Sequence, residues 1–367
     1  MSKYKICVYA ISKNEGKFVD RWMDAVSEAD LVVVADTGSS DDTVERLRSR
    51  GALVYEEKID PWRFDAARNA AMDHIPEDVD ICVSNDIDEV FDKGWREKLE
   101  QAWEPQHTRA RYWFAWSHAE NGSIIKKFIM EKIHRRNDFR WVHPVHEVLE
   151  YSGSDPDNSV YIGDLFLHHY PDPLKSRGQY LPLLEISAEE NPEDDRGMFW
   201  LGREYFYNER YEDAIKTLER HLKIPTAQWD EERSASMRFI AKSYLAIKDY
   251  HQAQSWLFRA TAECPFIREP WLELARLGYI KEDWELCLYA AKQGLNITES
   301  NSSYLAEPNS WGFSLDDLAA IAYYRLGLYR DALPHAEAAC HLQPGDERLE
   351  RNLEFIREKL KAGNEDE

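Results

Sequence analysis

The sequence predicts an α/β domain followed by an all-α domain, and three observations lead there. Up to about residue 175, short β-rich runs alternate with amphipathic, helix-like stretches. Beyond that point the apolar patterns are helical throughout. Within the helical part, successive segments align with one another as an internal repeat. Strands alternating with helices at this spacing imply a mixed, mostly parallel sheet covered on both faces. The expected division is 1–175 for the α/β part, 176–360 for the repeats and 361–367 for a disordered tail.

The first run, ICVYAI (6–11), reads as a buried strand. Basic residues precede it, but it is shorter than the core of a signal peptide and lacks a small-residue cleavage site. An amphipathic stretch over 18–26 leads to the strand LVVVAD (31–36). A helix then opens at SSDDTVERLRSRG (39–51), where the Ser39 and Ser40 hydroxyls with Asp41 and Asp42 can cap its bare N–H groups and Gly51 stops it. ALVYEE (52–57) is a third strand, FDAARNAAMDHI (64–75) a helix and DICVSND (80–86) a fourth strand. In such sheets ligands bind outside the carboxyl ends of the strands. Polar residues gather there: Lys13, Asn14 and Glu15, then Asp36, then Asp86, Asp88 and Glu89.

In the second part, Ala214, Ala253, Cys287 and Ala332 occupy one small-residue position, at spacings of 39, 34 and 45. Leu201-Gly202, Tyr205, Ala214 and Pro225 resemble the tetratricopeptide pattern, as do Ala320, Tyr323, Ala332, Ala339 and Pro344. Four repeats are expected. Small residues let the two helices of each unit approach, and prolines end the second helix. The third repeat lacks the aromatic at Gly278 and the closing proline.

Composition bounds the partners. The 367 residues carry 46 Lys and Arg against 68 Asp and Glu, a formal charge of −22. That weighs against a phosphate-grasping surface spread over the chain, and so against nucleic acid, but allows one basic pocket. The five cysteines are scattered and lack CxxC spacing, which argues against a disulfide framework or zinc knuckle and fits a reducing compartment. No run approaches the ~20 apolar residues that span a bilayer. The expectation is a soluble, cytoplasmic chain without membrane insertion.

Two carboxylates at i and i+2, Asp86 and Asp88, follow the fourth strand. Such a pair can share a divalent cation, or divide between a ribose hydroxyl and a metal; Mg²⁺ and Mn²⁺ take oxygen ligands and leave positions for phosphates. The same spacing recurs at Asp78/Asp80 and Asp155/Asp157, so position after a strand singles this pair out against a solvated loop.

At this point a resemblance is evident. ISKNEGKFVDRWMDAV (11–26), LVVVADTGSSDDTVERLRSRGALVYE (31–56), FDAARNAAM (64–72) and NDIDEVF (85–91) resemble, in order and spacing, family-two glycosyltransferases of the GT-A fold. The likeness is to bacterial members in which a short GT-A domain precedes tetratricopeptide repeats, a group that includes peptide S-glycosyltransferases. It is strong over about 4–95, weaker to about 175, and architectural through the repeats. It implies a nucleotide-sugar donor, a UDP-sugar first, a divalent Mn²⁺ or Mg²⁺, and inversion at the anomeric carbon. Carried over, Asp36 would bond the base, Asn14 and Glu15 would line the nucleoside pocket, and Arg68 would meet phosphate charge. Asp86 would hold ribose or sugar hydroxyls or share the metal, and Asp88 would hold the metal. The alternatives are a helix-capping acid at Asp36, a surface cation at Arg68 and turn formers at Asn14 and Glu15.

Related enzymes also carry an HE segment and then a strand ending in HYG. Here RWVHPVHEVLE (140–150) and LFLHHYPDP (165–173) stand in those places, with Pro171 for the glycine. His169 is the first choice to complete a metal shell and His168 the alternate; a structural histidine pair is the other reading. For the base that deprotonates the acceptor, Glu147 leads and Asp138 follows, Glu147 being otherwise a partner of Arg140 or an orienter of His146. A thiol acceptor would need a weaker base. The alternating basic run 123–140 fits a strand with one solvated face, or a contact for a phosphate-bearing acceptor. Trp113 and Trp116 either stack on a sugar or join the core.

The leading expectation is therefore a metal-dependent inverting glycosyltransferase whose repeats form a concave wall beside a peptide or protein acceptor. Glycan, lipid-linked and modified-DNA acceptors stay open. The short acceptor half, 96–175, suggests that the repeats or a second subunit of a homodimer help hold the acceptor. The competing class is a scaffold whose GT-A part has decayed. A nucleotidyltransferase is weakest, because SKNEGKF offers only one glycine where a phosphate loop needs several.

Overall fold

The computed structural model describes residues 3–173, 178–299 and 303–365, with side chains of the last helix described to Lys361. The chain divides into two compact units, 1–187 and 188–367. The boundary expected at 175/176 lies outside the described residues. No helix among the described residues is long and apolar enough to cross a membrane.

The first unit opens with β1 (Ile6–Ser12), α1 (Val19–Ala25), β2 (Leu31–Asp36), α2 (Thr43–Ser49), β3 (Leu53–Glu56), α3 (Phe64–Asp73) and β4 (Ile81–Ser84). It continues with β5 (Glu89–Phe91), α4 (Trp95–Ala102), β6 (Arg109–His118), β7 (Ile124–Arg135), β8 (Phe139–Val142), β9 (Val148–Tyr151) and β10 (Ser159–His169), and α5 (Tyr180–Glu190) runs across the division at 187/188. Eight strands form one sheet in the order β3-β2-β1-β4-β7-β6-β10-β5, and β8 and β9 form a separate hairpin. β1 pairs in parallel with β2 and β4, β2 with β3, and β6 with β10. β7 runs antiparallel to both β4 and β6, and β5 antiparallel to β10. The sheet is mixed.

Alternation along β1 explains its place at the centre. Ile6, Val8 and Ala10 face a core with Trp22, Trp95 and Leu99, while Cys7 and Tyr9 face another with Met72 and Trp141. A strand apolar on both faces must be covered on both. The strand directions then fix one edge. Ser12 stands opposite Asp36 at the carboxyl ends of β1 and β2, and the Asn85 N–H just past β4 donates to the Tyr9 carbonyl. β10 is oriented like β4, so His168 and His169 arrive at this same edge. β7 starts there and runs away from it.

The second unit contains α6 (Asp195–Tyr207), α7 (Tyr211–His221), α8 (Asp230–Ala246), α9 (Tyr250–Glu263), α10 (Arg268–Ile280), α11 (Trp284–Leu295), a 3₁₀ turn (Pro308–Ser310), α12 (Ser314–Arg325), α13 (Tyr329–Leu342) and α14 (Glu347–Glu365). Helices α6 to α13 form four packed pairs, and α14 lies against α13. Each pair turns in the same way. Glu209, Lys248, Glu282 and Gly327 have left-handed backbones, and the next N–H donates five residues back, to Tyr205, Tyr244, Gly278 and Tyr323. This is the Schellman ending, which satisfies carbonyls at a helix terminus. Five residues after each left-handed position comes a fully buried small residue: Ala214, Ala253, Cys287 and Ala332. The repeat in sequence is thus a repeat in backbone geometry.

Two local expectations change. Ser39 and Ser40 do not cap α2. Their hydroxyls turn to Asp36 and Asn14, and Asp41 Oδ1 accepts from the Thr43 N–H at 3.1 Å instead. The tail expected to be disordered continues α14 as helix to Glu365, extending a helix whose body is rich in helix-favouring Glu, Leu, Lys and Arg; residues 366–367 lie outside the described residues.

Candidate functional site

The loops after β1 and β2 are knitted together. Asn14 has a left-handed backbone (φ 56°); its N–H donates to Ser39 Oγ at 2.9 Å and its Oδ1 accepts from the Ser40 N–H at 2.7 Å. The Glu15 N–H donates to Thr43 Oγ1 at 2.8 Å, and the Glu15 residue is buried. At Gly16 a Cβ would meet Asp42 Oδ1 at 2.1 Å, so a larger residue there would require the exposed Asp42 side chain to turn aside. Asp36 is 2% exposed and its carboxylate accepts four bonds: from Ser12 Oγ (2.8 Å), the Gly38 N–H (3.0 Å), the Ser39 N–H (2.8 Å) and Ser39 Oγ (2.5 Å). Its lone pairs are committed to Ser12 of β1 and to its own loop. Beside it lies a cavity of about 340 Å³ lined by Asp36, Gly38, Ser39, Asp41, Glu56 and Lys58, among others.

One strand spacing to the other side of β1 is a second cluster. Arg68, on α3 and 6% exposed, grips Asp86 with two bonds, Nη1 to Oδ1 at 2.6 Å and Nη2 to Oδ2 at 3.0 Å. Its Nε donates to Glu147 Oε1 at 2.5 Å, and its guanidinium lies 5.0 Å from the centre of the Trp141 ring. Lys132 Nζ adds bonds to Asp86 Oδ2 (3.2 Å) and Glu89 Oε1 (3.0 Å), and the Asp86 N–H donates to Glu89 Oε2 (2.9 Å). Burial alone would raise the pKa of Asp86, but the charges of Arg68 and Lys132 hold it well below the usual carboxylate range. Glu89 goes the other way: burial raises it to about 7, against the pull of Lys132, and the neighbouring Asp86 and Asp88 charges add to the rise. Burial disfavours the Arg68 and Lys132 cations, yet the carboxylates raise both above their ordinary values.

A third pair completes the edge. His169 Nε2 lies 3.5 Å from Asp88 Oδ2, and the His169 ring stacks on exposed Trp116 with centroids 4.6 Å apart. Burial lowers the His169 pKa, but the hydrogen bond and charge of Asp88 outweigh it and the net shift is upward. His168 takes the opposite face of β10, as adjacent residues of a strand must. It pairs with His118 (Nδ1 to Nε2, 2.9 Å) and with Asp92 (3.3 Å). Asp88 therefore has His169 beside it and not His168.

Among the described residues no group of three or more His, Cys, Asp and Glu side chains is placed to hold a metal ion. Asp86 does not fit such a role, because three of its roughly four lone-pair positions are taken by cations. Asp88 and His169 fit as an oxygen and a nitrogen ligand, 3.5 Å apart, two of the ligands a divalent ion takes.

Asp138 is not brought to this edge. β7 carries the chain away from it, and Asp138 follows at the far end, paired with Arg135. The β8–β9 hairpin runs back, so that Glu147, at its tip, reaches Arg68. Arg140 pairs with Asp73 (2.6 Å), not with Glu147. Of the basic run, exposed Lys127 lies over half-buried Trp113 at 4.2 Å, while Lys132 points into the cluster. Sequence reasoning placed Glu89 at this edge and Lys132 in the basic run 123–140 but gave neither a role in the site.

No protein-family model matches this chain, and no curated protein sequence does. Among solved structures the chain is similar to a chain of the APC/C hetero-tetramer Cut9-Hcn1 (14% identity, TM-score 0.38), covering 50% of this chain and 33% of that one. It is similar to the MamA protein (14% identity, TM-score 0.36, 44% of this chain and 80% of that). It is also similar to TTC0263, a thermophilic TPR protein of Thermus thermophilus (18% identity, TM-score 0.35, 48% and 88%). The match thus spans about a third of the first of these chains.

Proposed function

We propose that the first unit is an inverting glycosyltransferase that moves a sugar from a nucleoside diphosphate donor to a peptide or protein side chain. The observation that supports it is convergence. Segments after β1, β2 and β4 and the end of β10, distant in sequence, meet at one sheet edge with the residue types that the family resemblance assigns to donor binding. Asp36 and Asp86 flank β1 there, two strand spacings or about 10 Å apart.

The residues divide the task as follows. The Asn14 and Asp36 loops wall the nucleoside end. Arg68 is a positioning residue, since its charge is matched by Asp86 and Glu147 instead of being turned to a phosphate. Asp86 keeps about one lone-pair position for a donor hydroxyl. Asp88 and His169 would hold the divalent cation, which supplies neutralisation of the diphosphate leaving group. Glu147, with one oxygen fixed by Arg68, accepts the proton of the acceptor hydroxyl or thiol as that atom bonds to the anomeric carbon and the nucleoside diphosphate departs.

The test is release of nucleoside diphosphate from UDP-glucose, UDP-N-acetylglucosamine and GDP-mannose with Mn²⁺. One donor should turn over, and Asp88→Ala should cut the rate at least about tenfold. No release from any donor by folded protein would contradict the proposal. That result would favour a second reading, a scaffold, to which the internally satisfied carboxylate of Asp36 lends support.

A further inference from the structure

The longest interval in the repeat, from Cys287 to Ala332, arises from added chain between α11 and α12. Residues 303–311 of that segment lie along the first helices of the pairs. The Tyr304 ring stacks on Trp200 of α6 (5.6 Å, 15°) and meets Trp229 at 5.5 Å, and its hydroxyl donates to Glu232 Oε2 of α8 at 2.6 Å. Leu305 is buried in the core of the unit. Three residues after the tyrosine, Glu307 Oε1 accepts from Arg238 Nη1 of α8 at 2.5 Å with Lys242 Nζ at 3.9 Å, and the Glu307 N–H donates to Glu269 Oε1 of α10 at 2.9 Å. Arg268 closes the base of the segment, donating to the Ile297 carbonyl at 2.8 Å and lying 4.1 Å from the Trp311 ring.

The wall asks for a carboxylate. Among the described residues, the acids recorded against Arg238, Lys242 and Arg276 are Glu269 and Glu273 of the wall and Glu307 of the segment. Arg238 is 2% exposed, so leaving it unpaired would be costly. Glu307 remains 32% exposed, so the acid reaches the arginine from an open side. Burial works against its charge, but Arg238 and Lys242 bring its pKa down to about 2. An aromatic slot, a buried cation and a main-chain bond to the wall together make a side-chain code with a backbone anchor, the elements of peptide recognition.

We propose that this face of α6, α8 and α10 is a binding site for a partner segment carrying an aromatic residue and, three positions on, a glutamate, and that residues 303–311 occupy it in cis. The site is independent of the chemistry assigned to the first unit. Its ligand competes with a tethered copy of the same code, so the affinity of the wild-type chain is reduced by the fraction of time the site is closed.

A fluorescein-labelled peptide of residues 303–311 is the probe, titrated against the full chain. The double variant Tyr304→Ser/Glu307→Gln should bind it at least about tenfold more tightly than wild type. Changing Glu307→Gln in the peptide should weaken that binding. In the wild type, millimolar peptide should speed hydrogen exchange at the Glu307 amide. A folded double variant that does not bind, or binds no better than wild type, overturns the proposal. If the double variant loses its helical circular dichroism, the wild-type exchange decides, and unchanged exchange overturns it. A wild-type dimer that the variant lacks would assign the segment to a second copy and overturn it as well.

Discussion

Arg68 binds two acids from different parts of the first unit, and what supports it from behind is a buried hydrogen-bond chain. Trp141 Nε1 donates to the Tyr9 hydroxyl at 2.9 Å, that hydroxyl and His134 Nε2 are hydrogen-bonded at 3.0 Å, and His134 Nδ1 donates to the Arg135 carbonyl at 2.7 Å. The carbonyl fixes a proton on Nδ1, and in the neutral imidazole that burial favours Nε2 accepts from the Tyr9 hydroxyl. Burial lowers the His134 pKa to about 4, the Arg135 carbonyl opposes this in part, and Arg109 and Arg136 add to it. The unfolded chain takes up this proton near 6.5 and the folded chain near 4, so between those values the unfolded state binds more protons. Stability therefore falls as pH drops through that window, by up to about 3 kcal/mol from this group. Urea denaturation at pH 7 and pH 4.5 should show wild type losing more stability than His134→Gln. Equal losses would mean that the imidazole is not held neutral.

At the scale of elements, the helix pairs depend on how closely their backbones approach. In the sequence, Gly278 reads as a missing aromatic in the third repeat. In the structure a Cβ there would meet the Cys287 backbone nitrogen at 2.6 Å and Cα at 2.8 Å, so α10 and α11 would have to separate. At Gly202 a Cβ meets the Leu218 side chain at 2.5 Å, which can turn aside. Gly278→Ala should therefore cost about 1–3 kcal/mol despite the better helix propensity of alanine, and Gly202→Ala less. Chemical denaturation of the two variants measures the difference, and a stabilised Gly278→Ala would refute the close approach. The strands and helices up to β4, and all four helix pairs, were legible because period and turn chemistry are local. Asp138 and Lys132 were not. Both positions depend on the direction in which β7 crosses the sheet, which alternation alone does not reveal.

Across the whole molecule, the candidate site was legible where a residue follows a strand directly, as Asn14, Asp36, Asp86 and Asp88 do. It was not legible where pairing decides. His168 and His169 are interchangeable in sequence, and the placement of β10 beside β5 and β6 sends one to Asp88 and the other to His118. Arg68 was expected near phosphate and is instead neutralised by Asp86 and Glu147, a long-range pairing with no sequence signature. The segment 303–311 has no periodic pattern at all, and its register is set by single contacts to Arg238 and Trp200. The central claim is that the first unit binds a nucleotide-sugar. Calorimetric melting of the full chain with UDP-glucose, UDP-N-acetylglucosamine or GDP-mannose, each with and without Mn²⁺, tests it most directly. One donor with Mn²⁺ should raise Tm, with a stabilisation of about 2.7 kcal/mol at a hundred times its Kd, and Asp88→Ala should abolish the metal-dependent part. A melting temperature that no donor moves, with or without Mn²⁺, would contradict the account.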